Sequence, residues 1–479
     1  MNFQDIIQEE TLLAAIAKLN WKQPTEIQQQ VIPLLKNNQN IVMQADTGSG
    51  KTGAYGLGIL EQLKWENKTA QCLIIAPTRE LALQIKNDIE HIGKYKRIKC
   101  TALIGKEPME QQLHDLKQKH HVISGTPGRI LDHIQQGNIN LSSITYIVVD
   151  EVDELCAMGF YDTLCAILDA IVQPCCMCFC SATIDDAVCG LAERYTENYE
   201  TISHCEEKLK KQFQNEVYHV SEADKPAFLW KLLLYQADST TIIFCNTRDT
   251  CESVYRSIRK HMQEVAIYHG ALNQQKRRQE LEKLYSGQAQ IMVASDIAAR
   301  GLDIDKVDTI INYDLPNDAV RFQHRAGRSG RGNRSGHVIT LVDDSQTALL
   351  VQLQEALDCE FIRCAVDLIN AQSDDPESLA KLLSKRKLKS GKAAAFQTDI
   401  LRLYIHGGKK KKIRAKDLVG AICQIDTISF ADIGVIEIQE NGSYVEILNH
   451  KGMQVYEQLK TLPIKNRHLK VEISHKQYE

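Results

Sequence analysis

A glycine-rich segment that ends in lysine and threonine is the first feature of this sequence with a clear chemical use. It follows the apolar run Ile41–Met43, and its residues are Ala45, Asp46, Thr47, Gly48, Ser49, Gly50, Lys51 and Thr52. Between a strand and a helix, such a loop surrounds phosphate oxygens with backbone N–H groups, and the helix N-terminus adds its dipole. In this pattern Lys51 reaches the β- and γ-phosphates and Thr52 holds Mg²⁺. The spacing therefore predicts a site for a nucleoside triphosphate with Mg²⁺.

Two adjacent acidic residues follow another apolar run. They are Asp150 and Glu151, directly after Val149. Carboxylates at the end of a buried strand suit metal-bridged hydrolysis. Asp150 would bind Mg²⁺, in part through water, and Glu151 would orient and deprotonate the attacking water. The alternative is an acidic helix start, which the helix dipole also favours. The phosphate-binding segment in the same chain favours catalysis.

A third cluster supplies positive charge. His324, Arg325, Arg328 and Arg331 lie close together in a segment that also contains glycines. Phosphate hydrolysis needs positive charge on the γ-phosphate as it leaves. A basic surface loop is the alternative interpretation. If these arginines meet the phosphate-binding segment, the two regions must close before the triphosphate reacts.

Alternating strand and helix patterns must position these residues. The predicted strands of the first region include Cys72–Ala76, Ile144–Val149 and Cys178–Cys180, and those of the second include Thr241–Cys245, Glu264–Tyr268, Ile291–Ala294 and Thr309–Asn312. Helical spacing lies between them, as at Glu80–Ile92. This alternation is typical of parallel sheets that are covered by helices on both faces. We predict two α/β domains, at residues 1–205 and 213–365, with the polar stretch Ser203–Gln214 between them.

A basic linker and a smaller unit are predicted after the second domain. Residues 366–395 lose the strand pattern, and the stretch from Lys381 to Lys416 contains 13 Lys or Arg against one acid, Asp399. Such an excess suits a polyanion, or else a solvated linker. Residues 396–479 have patterns in the order βαββαβ, with Tyr404 and Tyr444 on central strands. That order predicts a ferredoxin-like, RRM-like domain.

The overall composition is that of a globular protein. The 479 residues have a net charge of −4, with 43% hydrophobic and 25% charged residues. Apolar runs shorter than a membrane span, and an N-terminus without a secretory pattern, lead us to expect a cytoplasmic protein with no membrane partner. Of the 15 cysteines, Cys176, Cys178 and Cys180 alternate along the chain. The alternation predicts one buried strand face rather than a metal site.

In their order along the chain, these motifs resemble those of the DEAD-box RNA helicases of superfamily 2. The resembling segments are Trp21–Gln28 with Phe3 upstream, Ala45–Thr52, Pro77–Leu81, Thr126–Arg129, Asp150–Asp153, Ser181–Thr183, Gln274–Arg277, Ser295–Asp303 and His324–Arg331. The resemblance implies two tandem RecA-like domains, ATP and Mg²⁺ as cofactors, and RNA as the partner. This sequence has Val152 where the family has alanine, and Lys106 where the family has a second glycine.

The same resemblance implies roles for single residues. At the nucleotide, Trp21 would stack on adenine, Gln28 would read it and Asp303 would touch the ribose, while Arg328 and Arg331 would contact the γ-phosphate. The residues implied in coupling hydrolysis to strand separation are Ser181, Thr183, His324 and Arg325. The residues implied in RNA binding are Arg79, Gly105, Thr126, Arg129, Thr247, Arg277 and Ser295. Contacts to the RNA backbone carry little sequence preference, so specificity must come from elsewhere.

The last 80 residues resemble the C-terminal domain of the DbpA subgroup of bacterial DEAD-box proteins. The resemblance rests on Leu403–Lys412, Asp432–Gly434 and Ser443–Ile447. It implies binding to a hairpin of 23S rRNA, beside an adjacent duplex, on the pre-ribosomal large subunit. The predicted RNA contacts are Lys409, Lys410, Lys411, Lys412 and Arg414. Because Tyr444–Ile447 lacks the second aromatic of the usual RRM pattern, we expect the basic run rather than base stacking to contact RNA.

Three functions fit these patterns. The leading hypothesis is a monomeric, RNA-stimulated ATPase that opens short rRNA duplexes while its C-terminal domain holds a nearby hairpin. The second is an ATP-gated RNA clamp or assembly scaffold with weak turnover, for which Val152 is the only support. The third is a DNA-directed or general helicase, which the adenine-binding motif and the RRM-like domain both disfavour.

Overall fold

The structure, a computed structural model, describes residues 1–45, 49–204, 213–237, 239–296, 307–329, 336–370, 376–383 and 399–474. The described residues belong to two compact units. One unit contains residues 1–45, 49–204 and 399–474, and the other contains the described residues between 213 and 383. None of the described helices is both long and apolar enough to cross a membrane.

The first domain is built on a seven-stranded parallel sheet. Its strands are β1 (Ile41–Ala45), β2 (Cys72–Ile75), β3 (Cys100–Leu103), β4 (Val122–Gly125), β5 (Tyr146–Val149), β6 (Cys176–Ser181) and β7 (Glu200–His204). They are ordered β3–β4–β2–β5–β6–β1–β7. The central strands are apolar because both faces of a parallel sheet are covered. Cys176, Cys178 and Cys180 lie together in one of the two flanking cores, which confirms the predicted shared face.

Helices cover both faces of this sheet. They are α1 (Phe3–Ile6), α2 (Glu10–Lys18), α3 (Glu26–Lys36), α4 (Lys51–Gln62), α5 (Arg79–Ile92), α6 (Met109–Leu116), α7 (Pro127–Gln135), α8 (Val152–Ala157), α9 (Tyr161–Asp169) and α10 (Asp186–Tyr195). Thr78 caps the N-terminus of α5, because its hydroxyl accepts a hydrogen bond from the backbone N–H of Leu81. Such a cap satisfies a donor that the first turn leaves free. The start of α5 is thereby fixed beside β2.

The second domain repeats the architecture. Its strands are β8 (Phe213–His219), β9 (Thr241–Cys245), β10 (Val265–Tyr268), β11 (Ile291–Ser295), β12 (Thr309–Asn312), β13 (Gly336–Val342) and β14 (Ile362–Arg363). Its helices are α11 (Lys225–Tyr235), α12 (Arg248–Arg259), α13 (Gln274–Tyr285), α14 (Ala319–Ala326), α15 (Thr347–Leu357), α16 (Asp367–Asn370) and α17 (Pro376–Leu383). The parallel strands are ordered β10–β11–β9–β12–β13–β8–β14. The predicted pair of tandem parallel-sheet domains is therefore confirmed.

The C-terminal domain is a four-stranded antiparallel sheet with two helices. Its elements are β15 (Leu401–Ile405), α18 (Ala415–Ile422), β16 (Ile433–Ile438), β17 (Ser443–Ile447), α19 (Gly452–Leu459) and β18 (Val471–Ile473). The strands are ordered β16–β17–β15–β18. This order confirms the predicted ferredoxin-like arrangement. Leu403, Ile405, Val445 and Ile447 face its apolar core.

Two stretches contain more regular structure than the sequence predicts. Strands β7 and β8 occupy the two ends of Ser203–Gln214, which we expected to be a polar separator. Strand β7 is the edge of its sheet, where Ser203 is exposed and Ile202 is buried, so a polar composition is tolerated. The predicted linker at residues 366–395 begins with α16 and α17, and Ile369 and Leu382 are buried in the core of the second domain.

Candidate nucleotide and RNA sites

The described part of the phosphate-binding segment leads into the first turn of α4. Gly50 has a φ of +96°, in the left-handed region that favours glycine. A Cβ at this position would lie 2.8 Å from Nε2 of Gln28, so a larger residue would also collide. Asp46, Thr47 and Gly48 lie outside the described residues.

The residues predicted to hold adenine lie beside this turn. Nε2 of Gln28 donates a hydrogen bond to the carbonyl oxygen of Gly50 at 3.3 Å. The ring of Trp21 stacks on that of Phe3, with centroids 6.3 Å apart. A Cβ on Gly53 would lie 3.1 Å from the Trp21 ring, so this glycine lets the indole approach α4. The structure therefore brings Trp21 and Gln28 together at the start of α4.

Lys51 and Asp150 lie in a buried ionic cluster, with exposed fractions of 8% and 2%. Oδ2 of Asp150 accepts a hydrogen bond from the Tyr55 hydroxyl at 3.1 Å, and Oδ1 accepts one from the backbone N–H of Glu151 at 3.0 Å. Burial acts to lower the pKa of Lys51, but the charges of Asp150 and Glu151 outweigh it and leave that pKa raised. Burial raises the pKa of Asp150, and the charge of Lys51 opposes the rise.

This cluster has the chemistry of an anion site. Nζ of Lys51 is buried, yet no described atom accepts a hydrogen bond from it. A buried ammonium without acceptors is unfavourable, and phosphate oxygens would supply the missing acceptors. The carboxylate of Asp150 and the hydroxyl of Thr52 are oxygen ligands of the kind that Mg²⁺ takes. The residues present therefore fit a magnesium-bound triphosphate.

Glu151 forms a tight turn between β5 and α8. Its φ and ψ are 53° and 55°, a left-handed conformation that costs a residue with a side chain about 1 kcal/mol. Such strain persists where the surrounding structure imposes it, and functional sites are common places for it. Val152, the first residue of α8, is fully buried among apolar side chains that include Leu155 and Val188. The valine side chain, which is larger than the alanine of the family, therefore forms part of the apolar core.

Asp153 joins the acidic turn to the end of β6. Its Oδ2 accepts hydrogen bonds from the backbone N–H groups of Ala182 and Thr183, at 3.2 Å and 3.3 Å, and from the Thr183 hydroxyl at 3.4 Å. In return, Oγ of Ser181 accepts from the backbone N–H of Asp153. A movement of the acidic turn would therefore be transmitted to Ser181 and Thr183.

The first-domain residues predicted to bind RNA meet at one edge of the sheet. A Cβ on Gly105 would lie 3.3 Å from Nη2 of Arg79, the first residue of α5. Nη1 of Arg129 donates to the carbonyl oxygen of Glu107 at 3.0 Å. Thr126 is the N-cap of α7. All of them follow the carboxyl ends of β2, β3 and β4, which are neighbouring strands.

Lys106 occupies a position that glycine would suit better. Its φ is 62°, in the left-handed region. The preference of the family for a second glycine therefore has a conformational reason, which the sequence alone did not provide. Lys106 directly follows Gly105 in the sequence, so it adds a positive charge to the part of the sheet edge where the candidate RNA contacts lie.

Arg325 lies at the centre of a hydrogen-bond network in the second domain. Nε and Nη2 donate to the two carboxylate oxygens of Asp296, at 2.5 Å and 2.7 Å. Nη1 donates to Oδ1 of Asn312 and to the carbonyl oxygen of Asp314, and Nη2 also donates to Oδ1 of Asn246. All five N–H donors of the guanidinium are thus used within this domain.

The other described candidate site residues of the second domain lie near the carboxyl ends of its strands, as the partners of Arg325 do. Nη2 of Arg277 donates to the carbonyl oxygen of Gly270, after β10, at 2.8 Å. Ser295 ends β11, and Thr247 caps α12 after β9. His324 lies in α14, and Arg328 follows that helix and is buried. Asp303 and Arg331 lie outside the described residues.

The predicted basic contact surface of the C-terminal domain is an exposed turn. Lys409–Lys411 form a short 3-10 helix, and Lys412 has a φ of 58°. The backbone N–H groups of Lys409 and Lys410 donate to the carbonyl oxygens of Gln439 and Glu440, which fixes the turn against the β16–β17 hairpin. The side chains of Lys409, Lys410, Lys411, Lys412 and Arg414 are exposed. The turn therefore presents several cations to solvent.

Sequence reasoning missed two supporting residues, Tyr55 and Asn246. Tyr55 stands four residues after Lys51, on the same face of α4, and that spacing was a usable signal. Asn246 has no comparable local signal, because its partner Arg325 is 79 residues away.

Three parts of the chain match known protein families, and the whole chain is similar to known helicases. Residues 25–189 match the DEAD/DEAH box helicase family, residues 224–333 match the helicase conserved C-terminal domain, and residues 402–473 match the DbpA RNA binding domain. The ATP-dependent RNA helicase DbpA of Bacillus subtilis is 37% identical, over 97% of this chain and 98% of that protein. The DEAD-box ATP-dependent RNA helicase CshA of Geobacillus kaustophilus is 35% identical, over 74% of this chain and 76% of that protein.

A solved structure agrees with this assignment. S. cerevisiae Dbp5 bound to RNA and ADP BeF3 matches 80% of this chain and 100% of that chain, with 28% identity and a TM-score of 0.71. The likeness supports the two RecA-like domains and the use of a nucleotide. The chain therefore belongs to the DEAD-box family of ATP-dependent RNA helicases and has the DbpA type of RNA-binding domain.

Proposed function

We propose that the chain opens short duplexes in 23S rRNA during assembly of the large ribosomal subunit. The main support is the exposed turn Lys409–Lys412 within the part of the chain that matches the DbpA RNA binding domain. Exposed cations suit the phosphates of an RNA hairpin, while backbone contacts in the helicase domains hold the adjacent strand without reading its sequence. The hairpin contact would thus supply the target specificity.

At the phosphates, we assign binding to the loop of Asp46, Thr47, Gly48, Ser49 and Gly50 and to the ammonium of Lys51. Asp150 and Thr52 would hold Mg²⁺, in part through water, and a bound Mg²⁺ supplies positive charge to the phosphate oxygens. Glu151 would orient the attacking water and accept its proton. Its left-handed backbone is held between β5 and α8, which limits the positions open to the carboxylate.

The remaining nucleotide contacts come from residues near α4 and from the second domain. Trp21 would stack on adenine and Gln28 would hydrogen-bond it, after releasing the carbonyl of Gly50. Asp303 would contact the ribose. Arg328 and Arg331 would place positive charge near the leaving phosphate.

We assign RNA backbone contacts to Arg79, Gly105, Thr126, Arg129, Thr247, Arg277 and Ser295, and coupling to Ser181, Thr183 and His324. For Arg325 we propose a supporting role instead of direct coupling, because its five donors are already used. We also propose that the protein acts as a monomer in the cytoplasm, where ribosomal precursors are present. The clamp alternative loses its support if Val152, which is buried among apolar neighbours, causes no strain there.

The test compares ATP turnover by the full chain with two RNAs that share one duplex. One RNA carries the 23S rRNA hairpin and the other carries a scrambled loop. We expect the hairpin to lower the RNA concentration for half-maximal turnover roughly tenfold, and Lys410→Glu with Lys412→Glu to remove that advantage. Lys460→Glu, at the exposed lysine that directly follows α19, is the matched control and should keep the advantage. Equal turnover with both RNAs would reject the proposed target and leave the helicase activity untouched.

A further inference from the structure

The C-terminal domain makes specific ionic contacts with the first domain, within the same compact unit. Nζ of Lys94 lies 2.8 Å from Oε1 of Glu446, and Nζ of Lys99 lies 3.0 Å from Oε1 of Glu437. The side chains of Lys94 and Glu446 are only 5% and 6% exposed. An ion pair that is this deeply buried indicates close packing of the two surfaces.

A second group of contacts surrounds Asp399. Its carboxylate accepts a hydrogen bond from the Tyr95 hydroxyl and lies 3.7 Å from Nζ of Lys18. The next residue, Ile400, packs with Leu448 against Tyr95 and against Leu19 of the first domain. Polar and apolar contacts therefore lie side by side, as in the interior of a protein interface.

Arg97 provides a third anchor. Its guanidinium lies 4.1 Å from the ring centroid of Phe430 in the C-terminal domain and 5.3 Å from that of Trp65 in the first domain. It also donates a hydrogen bond to the carbonyl oxygen of Phe430. An arginine between two aromatic rings combines cation–π attraction with buried area.

The C-terminal domain uses its sheet for this contact. Strand residues alternate between faces, so Glu446 points away from the core that Val445 and Ile447 fill. Glu437 is paired with Tyr444 across neighbouring strands and shares that open face. In an RRM-like domain the open face is the expected platform for bases. Here it places two carboxylates opposite Lys94 and Lys99, and carboxylates repel phosphates.

We propose that the open sheet face of the C-terminal domain, at Glu437 and Glu446, is a docking surface for the basic segment Lys94–Lys99 of the first domain. The exposed turn Lys409–Arg414 would then be held in one place relative to the first domain. Helix α5 runs from Arg79, at the candidate RNA edge, to Ile92, two residues before Lys94, a length of about 21 Å. One rigid helix thus connects the strand-binding edge with the docked hairpin-binding domain. This inference concerns the docking and does not depend on which RNA is bound.

Carbodiimide treatment of the full chain tests the docking directly, because this reagent joins an amine to a carboxylate that it already contacts. We expect mass spectrometry to find Lys99 joined to Glu437, and to a lesser extent the more buried Lys94 joined to Glu446. The pair Lys460 and Glu457, at the C-terminal end of α19 and 2.9 Å apart, is the internal positive control. A chain that joins Lys460 to Glu457 and forms neither interdomain crosslink would overturn the proposal.

Charge reversal makes the test specific. Lys99→Glu should abolish the crosslink to Glu437, and Lys99→Glu combined with Glu437→Lys should restore a crosslink between the same two positions. Because both side chains are partly exposed, these variants are expected to fold, and hydrogen exchange in β3 and β17 checks this. Saturating hairpin RNA should leave the crosslink yield within about twofold. Loss of the crosslink when RNA binds would show that RNA and the first domain compete for the sheet face, which contradicts fixed docking.

Discussion

In the second domain, the guanidinium of Arg325 donates to both carboxylate oxygens of Asp296, in a pair that is almost completely buried. The remaining donors reach the ends of β9 and β12, so one side chain ties three neighbouring strands together at their carboxyl edge. That edge also carries Ser295 and the segment that leads to Thr247. The pair therefore holds in place the strand ends that carry the candidate RNA-binding residues.

Replacement of Arg325 by lysine should destabilise the second domain. Lysine keeps the charge but lacks the planar fork, so several buried acceptors would lose their donors. We expect a loss of roughly 3–5 kcal/mol in the free energy of unfolding, measured by denaturant titration. Arg321→Lys, on the exposed part of α14, should change it by less than about 0.5 kcal/mol. Equal stability of the two variants would mean that the network contributes nothing.

Lys51→Met should lower both stability and activity. The substitution removes the cation that opposes the unfavourable burial of the Asp150 carboxylate, so the free energy of unfolding without nucleotide should fall by about 3–5 kcal/mol. ATP turnover should fall by roughly 10²–10³, because the phosphates lose a buried cation. Lys64→Met, at an exposed site, is the control for loss of a lysine. More than a tenth of the parental turnover in Lys51→Met would contradict the assigned role.

Val152→Ala distinguishes the helicase from the clamp hypothesis. Because Val152 is fully buried in a packed core, alanine should cost about 1–3 kcal/mol of stability. It should not raise ATP turnover, since no strain is relieved. Val172→Ala, at a residue that is 93% exposed, should leave stability almost unchanged. A clear gain in turnover in Val152→Ala would revive the clamp hypothesis.

Two substitutions at Lys106 should separate backbone strain from charge. Lys106→Gly should be more stable than Lys106→Ala by about 1 kcal/mol, because only glycine adopts the left-handed conformation without strain. Both should bind single-stranded RNA more weakly. In plots of log affinity against log salt, both slopes should become shallower by about 0.7. Unchanged slopes would place the ammonium away from the RNA.

Acid should destabilise the first domain through His121. Burial lowers the pKa of this histidine to about 4, its Nδ1 accepts from the backbone N–H of Lys99, and Nε2 therefore donates to the carbonyl oxygen of Trp65. Between pH 6.5 and 4 the unfolded chain binds a proton that the folded chain does not. The contribution of His121 to the free energy of unfolding is thus fully present above pH 6.5. It falls by about 3 kcal/mol as the pH drops to 4.

The measurement is the difference in unfolding free energy between pH 7 and pH 4.5. His121→Gln should reduce that difference, whatever its effect at neutral pH. His468→Gln, at an exposed histidine, should leave it unchanged. The same pH dependence in His121→Gln and in the parent chain would assign the acid sensitivity to other groups.

Sequence patterns predicted the fold best where buried strands are continuous apolar runs. The predicted bounds of β9 and β12 equal those of the structure. The pattern failed at β7, which is an edge strand with polar residues, and at β14, which has only two residues. Such elements are held by their position in the sheet rather than by a local pattern.

The candidate site was predictable for a different reason. Parallel strands bring their carboxyl ends to one edge, so motifs that follow strands must meet there. The partners of those motifs were less accessible to this reasoning. Asp296 and Arg325 are 29 residues apart, and Lys94 and Glu446 are 352 apart. No local pattern connects charges at such separations, and only the folded chain brings them together.

The cysteine-rich interior has a consequence for how the protein ages. Among the described cysteines only Cys423 is exposed, and burial raises the pKa of Cys176 to about 12. Thiolates, the form that oxidants attack, are therefore scarce while the chain is folded. Unfolding would release many reactive thiols at once, and random pairing would prevent refolding. In the presence of oxygen, each unfolding of the cysteine-lined core can thus become irreversible. The amount of oxidised cysteine would then increase with the number of times that the chain has unfolded.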